Sequence, residues 1–351
     1  MSDKRLPRLG IIEGFYGVAW SHKERLAMLD FLAAKAFSSY CYAPKSDHYL
    51  RNNWQQPWGR VEFEALEHLS DHARNNGVDF SVGLTPLELH KHWRSGSSER
   101  RALKHKLAQI KALNPAGISI LFDDMWGSDE NLAAMQIDMS HFIADELGLT
   151  QVCVCPSYYS FDPLLEELFG AKPKNYWQQL GGGLDVAIDL YWTGDTVITE
   201  NYGLHGLRAI TEHFRRKPVI WDNSRVNDGR KTSPFLPLKA MPDITLLAEE
   251  CAGFVVNPMN AAHLAQLVLT TLFVSGPSDA RLQHALQQLG KDFCADLSLL
   301  LPLLTEVGLD ALSDADRQGI LAFVKRHDNV YSHDIAQWLQ GKFVFDPACL
   351  T

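Results

Sequence analysis

The chain has 351 residues, enough for one large domain or two ordinary ones, with 46% hydrophobic and 21% charged residues. That balance excludes long disorder, because there is apolar surface enough to offset chain entropy. A net charge of −9 argues against a nucleic-acid groove, which needs surplus Lys and Arg, and no run of about 18 apolar residues is present to span a bilayer.

Residues 1–10 carry charges but neither an apolar core nor a small-residue cleavage site, so they do not read as a signal peptide. Short β-rich runs then recur at 9–13, 38–43, 79–84, 117–122, 151–155, 186–191, 218–221 and 253–256. They are nearly continuous in apolar residues, as strands are when helices cover both faces of a parallel sheet. Their starts fall 29 to 41 residues apart, about the length of one strand, one crossover helix and two loops. Between them, Ser21 and Glu24 form a capping-box pair ahead of Leu26, Leu29 and Leu32 at helical spacing. Leu103, Leu107, Ile110 and Leu113 make a second stripe, and Leu132, Met135, Met139 and Phe142 a third; Gly77 and Gly148 stand as C-caps.

No phosphate-binding glycine motif follows any strand, and Gly181–Gly183 precedes one instead. Eight strand–helix units therefore predict an α/β fold, a closed (β/α)8 TIM barrel over residues 1–275. Beyond it the chain reads as helices alone, at 280–289, 291–304, 314–327 and 333–340. This C-terminal region, 276–351, fits a lid on the barrel bottom or a surface for a homodimer. The cysteines Cys41, Cys153, Cys155, Cys251, Cys294 and Cys349 form neither a CxxC pair nor a His/Cys cluster. They read as reduced core thiols of a cytoplasmic protein, and no metal or cofactor is expected.

In such a barrel the active site lies at the C-terminal ends of the strands. Those ends are rich in carboxylates, amides and aromatics: Glu13-Gly14, Lys45, Asp123-Asp124, Tyr158-Tyr159, Tyr191-Trp192-Thr193, Trp221-Asp222-Asn223, Asp228 and Asn257. This set points to a neutral ring-shaped ligand such as a sugar. Phe15 and Tyr16 read as turn structure, and Tyr191 as packing. The Asp123-Asp124 pair is the most informative feature. Two carboxylates at the end of an apolar strand repel each other, and burial favours a proton retained on one of them. One then serves as a general acid while its ionised neighbour accepts a hydrogen bond. A helix-capping pair or a cation site is the plainer alternative. Adjacent residues do not straddle a glycosidic bond as the two carboxylates of most glycosidases do. They do suit a substrate that supplies its own nucleophile, the carbonyl oxygen of a 2-acetamido group.

The strings GIIEGFYG, YCYAPKSD, LFDDM, YWTG and WDNSRVND, in this order over residues 8–275, resemble the catalytic barrel of glycoside hydrolase family 84, the β-N-acetylglucosaminidases. The resemblance implies hydrolysis of terminal β-linked GlcNAc through an oxazoline. It makes Asp123 the residue that orients the acetamido group and Asp124 the general acid and then base. Gly14 (by its carbonyl) and Lys45 would bind sugar hydroxyls, and Tyr159 would sit near the acetamido oxygen. Thr193 and Trp221 would form the acetamido pocket, Asn223 would lie near the scissile oxygen, and Asp228 and Asn257 would hold the O4 and O6 side. Tyr158, where the family commonly has an acidic residue, leaves the tyrosine's register open by one. Ser46 and Asp195 also depart from the pattern. The expected partner is a GlcNAc-bearing glycan or glycoprotein. Some members of the family are called hyaluronidases, but the negative charge argues against a polyanionic substrate. A catalytically silent GlcNAc-binding barrel is the alternative function.

Overall fold

A computed structural model describes residues 6–89, 93 and 96–345; Cys349 and residues 1–5 lie outside the described residues. The strands are β1 (Leu9–Glu13), β2 (Ser39–Tyr42), β3 (Asp79–Leu84), β4 (Gly117–Leu121), β5 (Gln151–Cys155), β6 (Ile188–Trp192), β7 (Val219–Asp222) and β8 (Gly253–Val256). They pair in parallel in sequence order and β1 closes on β8, so no edge strand is left to protect. The nearly continuous apolar runs are explained by burial on both faces: all five residues of β1 and of β4 are buried.

The flanking helices are α1 (His22–Ala34), α2 (Arg60–Asn75), α3 (Ser98–Ala112), α4 (Leu132–Leu147), α5 (Leu164–Phe169), α6 (Tyr176–Gly183), α7 (Leu204–Phe214) and α8 (Ala262–Thr270). The capping box at Ser21 and Glu24 starts α1, and Gly148 ends α4 in the left-handed conformation at φ +65°. Leu103, Leu107, Ile110 and Leu113 are all buried, as the stripe requires. The expectation of a helix after every strand fails once. Residues 223–252, between β7 and β8, hold no helix. Pro234, Pro237 and Pro242 interrupt this connection, removing donors and clashing with any helical turn. The buried Arg225 secures it instead, donating to the carbonyls of Ser224 and Ala240 and to Glu200.

The C-terminal helices α9 (Ser278–Gln287), α10 (Lys291–Pro302), α11 (Asp314–Arg326) and α12 (Val330–Leu339) do not form a lid beneath the barrel. They flank α8. Asp334 on α12 accepts the N–H groups of His263 and Leu264 in the first turn of α8, at the upper end of the barrel. Among the described residues no helix is long and apolar enough to cross a membrane.

Candidate active site

Side chains alternate in and out along a strand, so residues of one parity on each strand fill the barrel. Ser119, Tyr191 and Val255 have that parity and line the cavity at the lower mouth. Asp123, Thr193 and Asn257 continue the same columns past the upper strand ends and line a pocket of about 320 Å³ there, with Trp221 and Asn223 on the column of β7. Such a volume accommodates a monosaccharide. Asp124 has the opposite parity and would point away on an extended chain. It reaches the pocket because the chain turns after Phe122 and Asp124 takes φ +56°, a left-handed conformation costing about 1–3 kcal/mol.

The ten residues singled out by sequence, Gly14, Lys45, Asp123, Asp124, Tyr159, Thr193, Trp221, Asn223, Asp228 and Asn257, all line this one pocket. The two carboxylates are held differently. Lys45 Nζ lies 2.5 Å from Asp123 Oδ2, an ion pair with side chains only 3% and 8% exposed. Asp123 Oδ1 is buried and has no hydrogen-bond partner among the described residues, an open acceptor in a pocket wall. On Asp124, Tyr16 Oη donates to Oδ2 at 2.7 Å and Tyr159 Oη to Oδ1 at 2.9 Å. Burial, reinforced by Asp124, pushes both phenols well above their ordinary range, so they stay protonated. A phenol oxygen also accepts, so either tyrosine can take a hydrogen bond as well as give one. Neither Asp caps α4, whose N-cap is Asn131.

The rest of the pocket is a network. Gly14 N–H donates to Asn257 Oδ1 at 3.2 Å, Asn257 Nδ2 to Asn223 Oδ1 at 3.0 Å, and Trp221 Nε1 to the same oxygen at 2.8 Å. A Cβ on Gly14 would lie 2.7 Å from Trp221 Cζ2, so only glycine lets β1 pass the indole. Asp228 Oδ2 accepts Tyr16 N–H at 2.8 Å. Burial raises its pKa to about 6 against that hydrogen bond, with the nearby Asp124 adding to the rise. Cys155 lines the pocket, but burial, then Asp123, pushes its thiol up, so it presents no thiolate.

Other assignments separate here. Tyr158 leaves the pocket to donate to Gly170 O, while its neighbour Tyr159 lines it. Trp192 is fully buried among Phe161, Trp177 and Phe214. Tyr191 packs edge-on against Trp221. Phe15 is buried against Trp20, but Tyr16 is no mere turn residue, since it binds Asp124 through its side chain and Asp228 through its N–H. Nor did sequence reasoning find the apolar wall of Leu164, Leu165, Leu168 and Phe169; its signal was the LLEELF stripe just past the fifth strand. It also missed the support under Glu13, which is fully buried, bound twice by Arg25 at 2.8 Å and hydrogen-bonded by Tyr40 Oη. Among the described residues one group, Glu24, His263 and Asp334, has metal-ligand spacing, but it joins α1, α8 and α12 outside the pocket.

The model of the family described as beta-N-acetylglucosaminidase matches residues 9–291. The chain belongs to that family, glycoside hydrolase family 84. Protein O-GlcNAcase from Rattus norvegicus and that from Mus musculus are each 28% identical over 286 residues, which is 78% of this chain and 30% of theirs. The chain thus spans less than a third of the length of these relatives. The structure of a mutant O-GlcNAc hydrolase from Thermobaculum terrenum aligns with a TM-score of 0.79 over 97% of this chain and 82% of that one, at 24% identity. It shares the fold of this family-84 barrel and its C-terminal helices.

Proposed function

We propose that this family-84 chain is a retaining β-N-acetylglucosaminidase that removes terminal β-linked GlcNAc by substrate-assisted catalysis. The observation that carries the proposal is the contrast between the two adjacent carboxylates. Asp123 presents a buried, unpartnered Oδ1 beside an ion-paired Oδ2, the right acceptor for an acetamido N–H. A bond there turns the amide so that its carbonyl oxygen faces the anomeric carbon, and the carboxylate offsets the positive charge that nitrogen gains as the oxazoline ring closes. Asp124, between two protonated phenols, donates a proton to the leaving oxygen and later takes one from water.

The surrounding groups take roles that their positions support. Trp221 and Thr193 wall the space for the acetamido methyl, with Tyr159 near its oxygen. Asn223 sits close to the scissile oxygen; Lys45, the Gly14 carbonyl, Asp228 and Asn257 hold the ring hydroxyls. The relatives named Protein O-GlcNAcase favour a GlcNAc-bearing protein as substrate. The free cysteines Cys41, Cys153, Cys155, Cys251 and Cys294 fit a reducing, cytoplasmic setting. The test is turnover of 4-methylumbelliferyl β-GlcNAc followed by NMR. Fluorophore release with the β-anomer of GlcNAc formed first is expected. Binding of GlcNAc without release would favour the silent sugar-binding barrel, and the α-anomer formed first would overturn retention.

A further inference from the structure

The polar groups of the pocket are buried or half-buried, whereas part of its outer wall is apolar and exposed. Leu164, Leu168 and Ile198 are 42%, 57% and 45% exposed, yet they line the same cavity as the carboxylates. Among the other apolar residues lining the pocket is the half-buried Phe345. This residue lies beyond residue 291, where the family match ends, and is carried to the pocket by the C-terminal helices. Its N–H donates to Ser233 Oγ at 3.0 Å. Trp338 Nε1 and Leu309 N–H donate to Pro234 O at 3.1 and 2.8 Å, and Leu236 N–H donates to Leu304 O at 2.9 Å. Ser233, Pro234 and Leu236 follow shortly after Asp228 and Gly229, which line the pocket. The helical region therefore both anchors a pocket loop and supplies a ring to the pocket.

The polar base of the pocket meets the hydroxyls of the terminal sugar, and the apolar, exposed wall lies outside it. What projects past that wall is the group on the other side of the scissile bond. We propose that Phe345 is a specificity-determining residue whose ring contacts the leaving group, so that the C-terminal helices complete the active site within the same chain. The inference rests on the glycosidase reading above. It assigns to the enzyme an aglycone with more apolar surface than a second sugar offers.

The experiment compares Phe345→Ala and Phe345→Leu with wild type in the full chain. It measures kcat/KM for 4-methylumbelliferyl β-GlcNAc (apolar aglycone) and for chitobiose (sugar aglycone), and Ki for GlcNAc-thiazoline (no aglycone). Loss of a half-buried ring contact lowers kcat/KM for the methylumbelliferyl glycoside about 5-fold in the alanine variant. Chitobiose cleavage and Ki change less than about 2-fold, and leucine restores most of the loss. Equal losses on both glycosides, or a rise in Ki that matches them, would show that Phe345 merely shapes the sugar site and would overturn the inference. A wild-type chain that cleaves neither glycoside overturns the parent reading and this one together.

Discussion

Replacing Asp123 by Asn tests the assignment of roles most sharply, because the two side chains have the same shape. With its amide oxygen turned to Lys45, the variant still satisfies the buried ammonium. It then faces the substrate N–H with an NH2 group, donor against donor. With the amide reversed, it confronts Lys45 instead, so one of the two partners always loses its acceptor. The charge is lost as well. At an effective dielectric of about 20, a half-developed positive charge roughly 3 Å from a carboxylate is stabilised by about 3 kcal/mol. Together with the charge-assisted hydrogen bond, the loss comes to about 10³- to 10⁴-fold in kcat/KM. The assay is a series of aryl β-GlcNAc substrates whose phenols differ in acidity. For Asp123→Asn the loss is uniform across the series, because oxazoline closure is impaired whatever leaves. For Asp124→Asn it is steep, small with good leaving groups and large with poor ones that need a proton. Wild-type rates in Asp123→Asn, or the same slope for both variants, would refute the division of labour.

Further outcomes follow from the buried charges. Because burial raises the pKa of Asp228 to about 6, it becomes an anion only above that pH. If its anion holds sugar hydroxyls, kcat/KM rises through pH 6, and Asp228→Asn removes that limb while lowering activity. An unchanged profile in the variant would detach the limb from Asp228. For stability the sign is opposite: a raised carboxylate contributes fully below its unfolded value of 3.8 and the contribution is lost as pH climbs through about 6. Arg25→Met strands the fully buried Glu13 without its counter-charge and costs about 3 kcal/mol by urea unfolding. A change under about 0.5 kcal/mol would show that Tyr40 and the Trp20 N–H suffice.

The barrel was legible in the sequence because parallel strands buried on both faces leave long apolar runs, and four of them, at 9–13, 79–84, 151–155 and 253–256, begin and end where expected. The connection after β7 was not, because its prolines replace a periodic helix with tertiary contacts made by Arg225, which local pattern does not encode. Within the site, the residues were found from their place at or just past the strand ends and from the resemblance of those strings to family 84. Tyr16 was missed because it lies in a bend after β1, where the direction of a side chain depends on the local backbone rather than on strand alternation. Phe345 was missed for a different reason: it reaches the pocket from the far end of the chain, through docking that only the folded molecule brings about.

The central claim is that the substrate's own acetamido group does the attacking. It is tested most directly by comparing kcat/KM for 4-methylumbelliferyl β-GlcNAc with that for the matching β-glucoside, which has a hydroxyl in place of the acetamido group. The account predicts ready cleavage of the first and, lacking any nucleophile, a rate at least about 10⁴-fold lower for the second. Comparable rates for the two would contradict it.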